Sequence, residues 1–326
     1  MQLERIDPEL NSAVRSGLLA VEQTLHEAVR SEVELIATSA LHLVDAGGKR
    51  IRPLLTLLAS QFGRPDQSEV IVAAAAVELV HLATLYHDDV VDEATIRRGA
   101  VSANARWDNT IAILTGDFLF AQASRLVSDL GTDAARIIAE TFSELVTGEM
   151  RETIGPADGE GPVEHYLSVI GQKTGSLFAT SVRFGAMCSQ AGPQITESLR
   201  RFGEIIGAVF QISDDIIDIA SPETESGKVP GTDLREGVRT LPMLYAVADE
   251  RRQNSRLREL LAGPIASDAL VGEALHLLRD STGLAQSRDT LDDYAKRALM
   301  ELETLPDTPA RAALRALTDY VVARTG

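Results

Sequence analysis

Apolar residues recur along the chain at steps of three and four. Leu10, Val14, Leu18, Val21, Leu25, Val29, Val33 and Ile36 make one stripe down a single helical face. The same period predicts further helices at roughly 53–62, 68–92, 103–129, 133–152, 163–188, 195–219, 240–261, 267–280, 284–303 and 308–323. No stretch alternates with period two, and no tight turn separates β-rich runs. Breakers such as "DAGGKRIRP", "RRGAVS", "GPADGEGP" and "SPETESGKVPGTDLREG" fall between the helical segments. The pattern predicts an all-α protein. Its long helices, several apolar on most faces, should form a central bundle with others packed around it. No Pro/Gly/Ser-rich linker divides the 326 residues and no internal repeat stands out, so one domain over 1–326 is expected.

Two of the most apolar segments end in acid. "VIVAAAAVELVHLATLY" runs into "HDDVVDE" (87–93), and "FGEIIGAV" runs into "FQISDDIIDI" (210–219). Both endings read Asp-Asp-x-x-Asp. Residues four apart on a helix point within about 40° of each other, so Asp88 and Asp92 share a face, as do Asp214 and Asp218. Like charges at that spacing repel and need compensation. One such cluster could be a solvated helix end; two copies, each closing an apolar helix, weigh against that. Oxygen-only donors suit hard cations, and Mg²⁺ takes one or two carboxylates while leaving its other positions to water and phosphate. The lack of a His/Cys cluster argues against zinc.

Composition narrows the picture. The formal charge of −17 makes the chain a poor nucleic-acid binder. The single cysteine, Cys188, excludes an intrachain disulfide and fits a reducing compartment. The first residues carry charges and no apolar core, unlike a signal peptide, and no uninterrupted apolar run reaches the ~18–20 residues of a membrane span. The expectation is a cytoplasmic protein without a transmembrane segment. There are 27 arginines but only four lysines, and Lys49, Lys173 and Lys228 each have glycine within two residues. Glycine admits close backbone approach, and an ammonium group is a compact charge suited to phosphate. Arg97-Arg98-Gly99 follows the first acidic cluster, Lys228, Arg235 and Arg239 follow the second, and Lys49, Arg50 and Arg52 precede both. Surface ion pairs could account for any one of these. A chain of carboxylate, Mg²⁺, phosphate and Arg/Lys accounts for all of them together.

"GGKRIRP", "LYHDDVVDEATIRRG", "GQKTGSLF", "FQISDDIID" and "GKVPGTDLREGVRTLP" resemble, in order, the motifs of the trans-isoprenyl diphosphate (polyprenyl) synthases, over roughly residues 45–245. The resemblance implies an all-α isoprenoid-synthase fold with a central cavity, usually a homodimer, and head-to-tail condensation of isopentenyl diphosphate onto an allylic diphosphate. It implies Mg²⁺, three ions with substrate bound, with Mn²⁺ as a substitute. By position, Asp88 and Asp92 resemble the first-motif metal ligands, with Asp89 supporting. Asp214 resembles the principal second-motif ligand, with Asp215 and Asp218 acting nearby. Lys49, Arg52, His81 and Arg98 match the isopentenyl diphosphate site. Arg97, Lys173, Thr174, Gln211 and Lys228 match the allylic diphosphate site, and Lys173 and Lys228 would also assist departure of the diphosphate. His81 by itself reads as a hydrogen-bonded core histidine; the match turns it toward diphosphate. Trp107 and Tyr86 read as core. Val238 departs from the lysine the family often has after "DLREG", and Arg239 stands beside it.

Product length is read from Ala83 and Thr84, five and four residues before Asp88 and both small. Short-chain relatives tend to place an aromatic near the Ala83 position as a floor. Its absence resembles the heptaprenyl to nonaprenyl synthases that serve quinone side chains. A farnesyl or geranylgeranyl diphosphate synthase is the alternative. A terpene cyclase would not need Lys49, Arg52 and Arg98, and a non-catalytic partner subunit would be expected to have lost aspartates. No side chain is an obvious base for the proton lost on condensation, and the resemblance makes the departing diphosphate its acceptor.

Overall fold

The computed structural model describes residues 7–220, 230–249 and 255–325. Among the described residues it is all-α apart from one two-residue strand pair. The helices are α1 (Pro8–Ala28), α2 (Glu34–Asp45), α3 (Ile51–Ser60), α4 (Ser68–Val91), α5 (Ala103–Arg106), α6 (Asn109–Ser128), α7 (Thr132–Ile154), α8 (Pro162–Ile170), α9 (Ser176–Cys188) and α10 (Pro193–Ala220). After these come α11 (Thr232–Glu236), α12 (Leu241–Ala248), α13 (Ser255–Leu260), α14 (Asp268–Arg279), α15 (Thr282–Glu303) and α16 (Pro309–Ala323).

Several expected elements differ in detail; the segment 103–129, for one, is α5 and α6 with Trp107 and Asp108 between them. The stripe from Leu10 to Ile36 is two helices rather than one. Ser31 Oγ accepts from the Val33 backbone N–H at 3.1 Å, a local bond that competes with helix continuation. The segment 163–188 is interrupted by a turn of π-helix at Gly171–Gly175 between α8 and α9. Strands β1 (Ile96–Arg97) and β2 (Ala100–Val101) pair antiparallel around Arg98 and Gly99, whose φ values are 53° and 77°. Two positive φ values are what a two-residue hairpin with the sheet's own twist requires, and strands this short leave no period to read.

The first core cluster joins α1, α3, α10, α15 and α16 through residues such as Leu55, Phe202, Ile212, Leu302 and Leu314. The second surrounds α4 with α2, α6 and α7. Helix α9 serves both: Phe178 and Val182 enter the first, Leu177 and Phe184 the second. Its approach to α10 depends on glycine, because a Cβ on Gly207 would stand 2.7 Å from the Gly175 Cα. A smaller cluster joins Ile219 to α11–α14.

Helix α4 is long and apolar enough to cross a membrane by length and mean hydropathy, which the reading of uninterrupted runs does not anticipate. Most of it lies inside the bundle, with Ala73–Val77 and Leu79–Val80 fully buried. It ends at Val91, and α10 at Ala220, so both acidic clusters close buried helices as expected. Carboxylates there also face the negative end of the helix dipole, a second reason for a cation to join them.

Candidate active site

A cavity of about 670 Å³ opens between the C-terminal ends of α4 and α10. Asp88 and Asp92 line it from α4, and Gln211 and Asp215 from α10. Lys173 and Thr174 enter from the π-helical turn, whose extra residue per turn re-aims side chains. Arg97 comes from β1, Glu149 and Glu152 from α7, Tyr166 from α8, and Asp233 and Glu236–Thr240 from α11 and the residues after it.

Among the described residues, seven carboxylates line this cavity, against Arg97, Lys173 and Arg239 as cations. The imbalance shows in the acids. Burial, then Glu149, pushes the Asp88 carboxyl up to about 7, against the opposing pull of Lys173 and Arg97. Burial also raises Asp92 and Asp215. For Asp215 it outweighs the hydrogen bonds from Tyr166 Oη and from Gln211 Nε2 (2.9 Å). Lys173 Nζ lies 2.6 Å from Glu152 Oε2 and 2.9 Å from Glu149 Oε2. Burial works against its charge, but the two glutamates outweigh burial and hold its pKa above the ordinary lysine value.

The other aspartates are turned elsewhere. Asp89 is fully buried and does not line the cavity; its Oδ1 accepts from Arg97 Nε at 2.6 Å, and its Oδ2 has no protein partner. Asp89 therefore aims Arg97, which also stands 3.7 Å from Asp92. Asp214 pairs with Arg324 at 2.8 Å, and Asp218 accepts from the Thr232 backbone N–H at 3.3 Å. Asp214 and Asp218 share a face, as their spacing predicts, yet neither lines the cavity. The face that does is one residue round the helix, with Gln211 and Asp215. Asp214, expected to lead the second motif, is thus held by Arg324 outside the cavity lining, while its neighbour Asp215 lines it.

The basic residues divide into two groups, and the β1–β2 hairpin does the dividing. Arg97 turns toward Asp89 and Asp92. Arg98 turns away, donating to the carbonyls of Leu43 (3.3 Å) and Gly47. Gly48 has φ 146°, which disfavours any residue with a Cβ, and such a Cβ would also crowd the Arg98 guanidinium carbon at 3.0 Å. Arg52 stacks over Phe178 at 5.0 Å, and its Nε is buried without a protein partner. Burial, with Glu78 opposing and Arg98 adding, lowers Arg52 to about 10. Burial and then Arg52 drive His81 well below its ordinary value, so the ring is neutral at pH 7. Lys49 is exposed on the loop just before α3. Lys228 lies outside the described residues. Ala83 and Thr84 are buried in α4 and do not line the cavity; Thr84 Oγ1 donates to the His81 carbonyl at 2.9 Å.

Sequence reasoning missed Glu149, Glu152, Tyr166 and the buried Glu78. The local signal for the first two is Gly148 directly ahead of them, where a Cβ would stand 2.8 Å from the Lys173 backbone nitrogen. Among the described residues no three His, Cys, Asp or Glu side chains stand close enough to hold a metal ion by themselves. The donors are all oxygen, in surplus, and partly neutralised by burial. That fits a hard divalent ion whose shell is completed by water and phosphate, rather than a closed protein cage.

The polyprenyl synthetase family model matches residues 33–278. A nonaprenyl diphosphate synthase of Mycobacterium tuberculosis is 54% identical over 98% of this chain and 96% of its own length. A dimethylallyltranstransferase of the same organism is 46% identical over 97% of this chain and 96% of its own length. The crystal structure of geranylgeranyl pyrophosphate synthase from Corynebacterium glutamicum, complexed with calcium and isoprenyl diphosphate, superposes with a TM-score of 0.88. It is 49% identical and covers 98% of both chains.

Proposed function

This chain belongs to the polyprenyl synthetase family and is a trans-prenyltransferase, and from that premise we propose that it makes long-chain all-trans polyprenyl diphosphates. In this reading it extends an allylic diphosphate with isopentenyl diphosphate, with Mg²⁺ as the metal and three ions present when substrate is bound; Mn²⁺ would substitute. The observation that carries the reading is the separation of the basic residues into two groups, Arg97 and Lys173 in the cavity with Asp88 and Asp92, and Arg52 and Arg98 near the buried Glu78.

Arg97, Lys173, Thr174 and Gln211 would bind the allylic diphosphate, with Lys228 completing the set. Lys49, Arg52, His81 and Arg98 would bind isopentenyl diphosphate. Asp88 and Asp92 would hold metal from one side and Asp215 from the other, with Asp89 fixing Arg97. Asp214 and Asp218 would join after releasing their present partners. Magnesium, when bound, would neutralise charge on the departing diphosphate. Lys173, already fixed by Glu149 and Glu152, would add a preset positive charge at the same place. Neutral His81 would donate one ring N–H without adding a charge beside Arg52. Two seated diphosphates make the coupling effectively unimolecular. The proton lost on condensation would pass to the departing diphosphate.

The long-chain reading is supported by the small residues Ala83 and Thr84 and by similarity to the nonaprenyl synthase. The short-chain alternative draws on the likeness to the geranylgeranyl pyrophosphate synthase. A homodimer is part of the proposal, supported by exposed apolar residues on α6 (Ile113, Leu114) and α7 (Val146, Met150, Ile154). So are a single domain over 1–326, a cytoplasmic location and a role in quinone side-chain supply. The test is incubation with Mg²⁺, farnesyl diphosphate and labelled isopentenyl diphosphate, followed by sizing of the products. Chains of seven or more isoprene units are expected. Arrest at geranylgeranyl diphosphate would establish the short-chain reading, and a cyclic hydrocarbon would overturn both.

A further inference from the structure

Among the described residues, four that are not glycine have φ in the left-handed region: Arg50, Glu93, Arg98 and Gln190. Two of these, Arg50 (φ 47°) and Arg98 (φ 53°), send their guanidinium groups to one carboxylate. Arg50 Nη1 donates to Glu78 Oε1 at 2.9 Å, and Arg98 Nη2 stands 3.8 Å from that same oxygen. The two arginines sit on separate loops, one beside the Gly47–Gly48 turn and one in the β1–β2 hairpin. Residues with a Cβ stay in the left-handed region only where their surroundings hold them. Glu78 is 1% exposed, so water does not compete for it, and a carboxylate that deep persists only when paired.

The remaining contacts complete the brace. Arg50 reaches Glu22 on α1 at 2.5 Å and the Val44 carbonyl on α2 at 2.9 Å. Arg98 holds the carbonyls of Leu43 and Gly47. Glu78 lies one helical turn before His81, on the α4 face that continues toward Asp88. Arg50, Arg52 and Arg98 would repel one another in this cluster. Glu78 is the deeply buried negative charge between them.

We infer that Glu78 is a positioning residue: its carboxylate locks Arg50 and Arg98, and with them both glycine loops, into one preset diphosphate site formed by Lys49, Arg52 and Arg98. The inference rests on the assignment of that site to isopentenyl diphosphate made above. Glu78 does not touch substrate; it acts through the two arginines. Without it, Arg98 is free to turn toward solvent and the loops are free to leave their left-handed conformations.

The test is steady-state kinetics of Glu78→Gln, Glu78→Asp, Arg98→Gln and the double variant Glu78→Gln/Arg98→Gln, with each substrate varied in turn. Glu78→Gln should raise the KM for isopentenyl diphosphate about tenfold or more, while the KM for the allylic diphosphate stays within about twofold. Glu78→Asp, which keeps the charge, should recover part of the loss. It also supplies the measurement if Glu78→Gln does not fold. The double variant should lose less than the two single losses added, because Glu78 acts in part through Arg98. An unchanged KM for isopentenyl diphosphate, equal rises for both substrates, or additive losses would overturn the role of Glu78. If Arg98→Gln instead raises the KM for the allylic substrate, the substrate assignment is what fails.

Discussion

A guanidinium nitrogen of Arg324, just beyond α16, lies 2.8 Å from a carboxylate oxygen of Asp214. The same side chain donates to Ser213 Oγ at 2.8 Å and to the Phe210 carbonyl at 3.1 Å, and stacks on the Phe210 ring at 4.4 Å. The last helix is thereby tied to the second acidic cluster. A metal ion drawn to Asp214 must displace this cation. Arg324→Gln should lower the Mg²⁺ concentration for half-maximal turnover by about fivefold, the equivalent of an ion pair of roughly 1 kcal/mol. It should also cost about 1–3 kcal/mol of stability through the other lost contacts. Metal titration of turnover, with thermal unfolding alongside, checks both. An unmoved titration curve would show that Asp214 takes no metal.

Asp88 ties stability to pH. Its carboxyl is raised from the usual 3.8 to about 7. Between those values the unfolded chain has released this proton and the folded chain has kept it. The folded state thus binds more protons, and this group's contribution to stability falls as pH rises from about 4 to about 7. Raised pKa values at Asp92 and Asp215 act in the same direction. With metal removed, Asp88→Asn should be more stable than the parent at pH 8 by about 1–3 kcal/mol, allowing for solvent screening. Its turnover with Mg²⁺ should fall by about 10²-fold or more. Unfolding in chelator at pH 5 and pH 8, together with kcat, decides; a variant less stable than the parent at pH 8 would contradict the sign.

Ala83 is 1% exposed. Ala83→Phe forces a ring into a packed helix face, at a cost of about 1–3 kcal/mol. The expected outcome is a shift to shorter products with the first condensations retained, read by chromatography of the dephosphorylated alcohols. An unchanged product spectrum removes Ala83 from the control of length.

Met150 and Ile154 lie one turn apart near the end of α7, with 58% and 77% of their surfaces exposed. A charge placed between two apolar faces costs several kcal/mol once desolvated. The proposed homodimer predicts that the parent sediments as a dimer at micromolar concentration and Met150→Asp as a monomer, while the far-ultraviolet helical signal stays constant. A variant that sediments like the parent would place the subunit contact elsewhere.

Helices and acidic clusters were legible because their signals are local. A 3.6-residue period and an Asp-Asp-x-x-Asp ending survive without knowledge of any neighbour, and both helices end where the clusters do. The β1–β2 hairpin was not legible, since two-residue strands carry no period. With it went the reason Arg97 and Arg98, adjacent in the chain, serve different groups. Glu149 and Glu152 read as ordinary helix charges until the π turn brings Lys173 between them. Glu78 sits in an apolar run and gives no sign of its two arginine partners.

The sequence alone determined the helical class, the two carboxylate endings and the family to which the motifs belong. Each of these is written in neighbouring residues through backbone periodicity and short-range spacing. Tertiary structure decided which face of α10 looks into the cavity, which aspartates are engaged by Arg324, Arg97 and the Thr232 backbone, and how the cations separate into two groups. Those depend on helix rotation and on charges distant in the chain meeting in a buried place, where pairing rather than identity sets what each group can do.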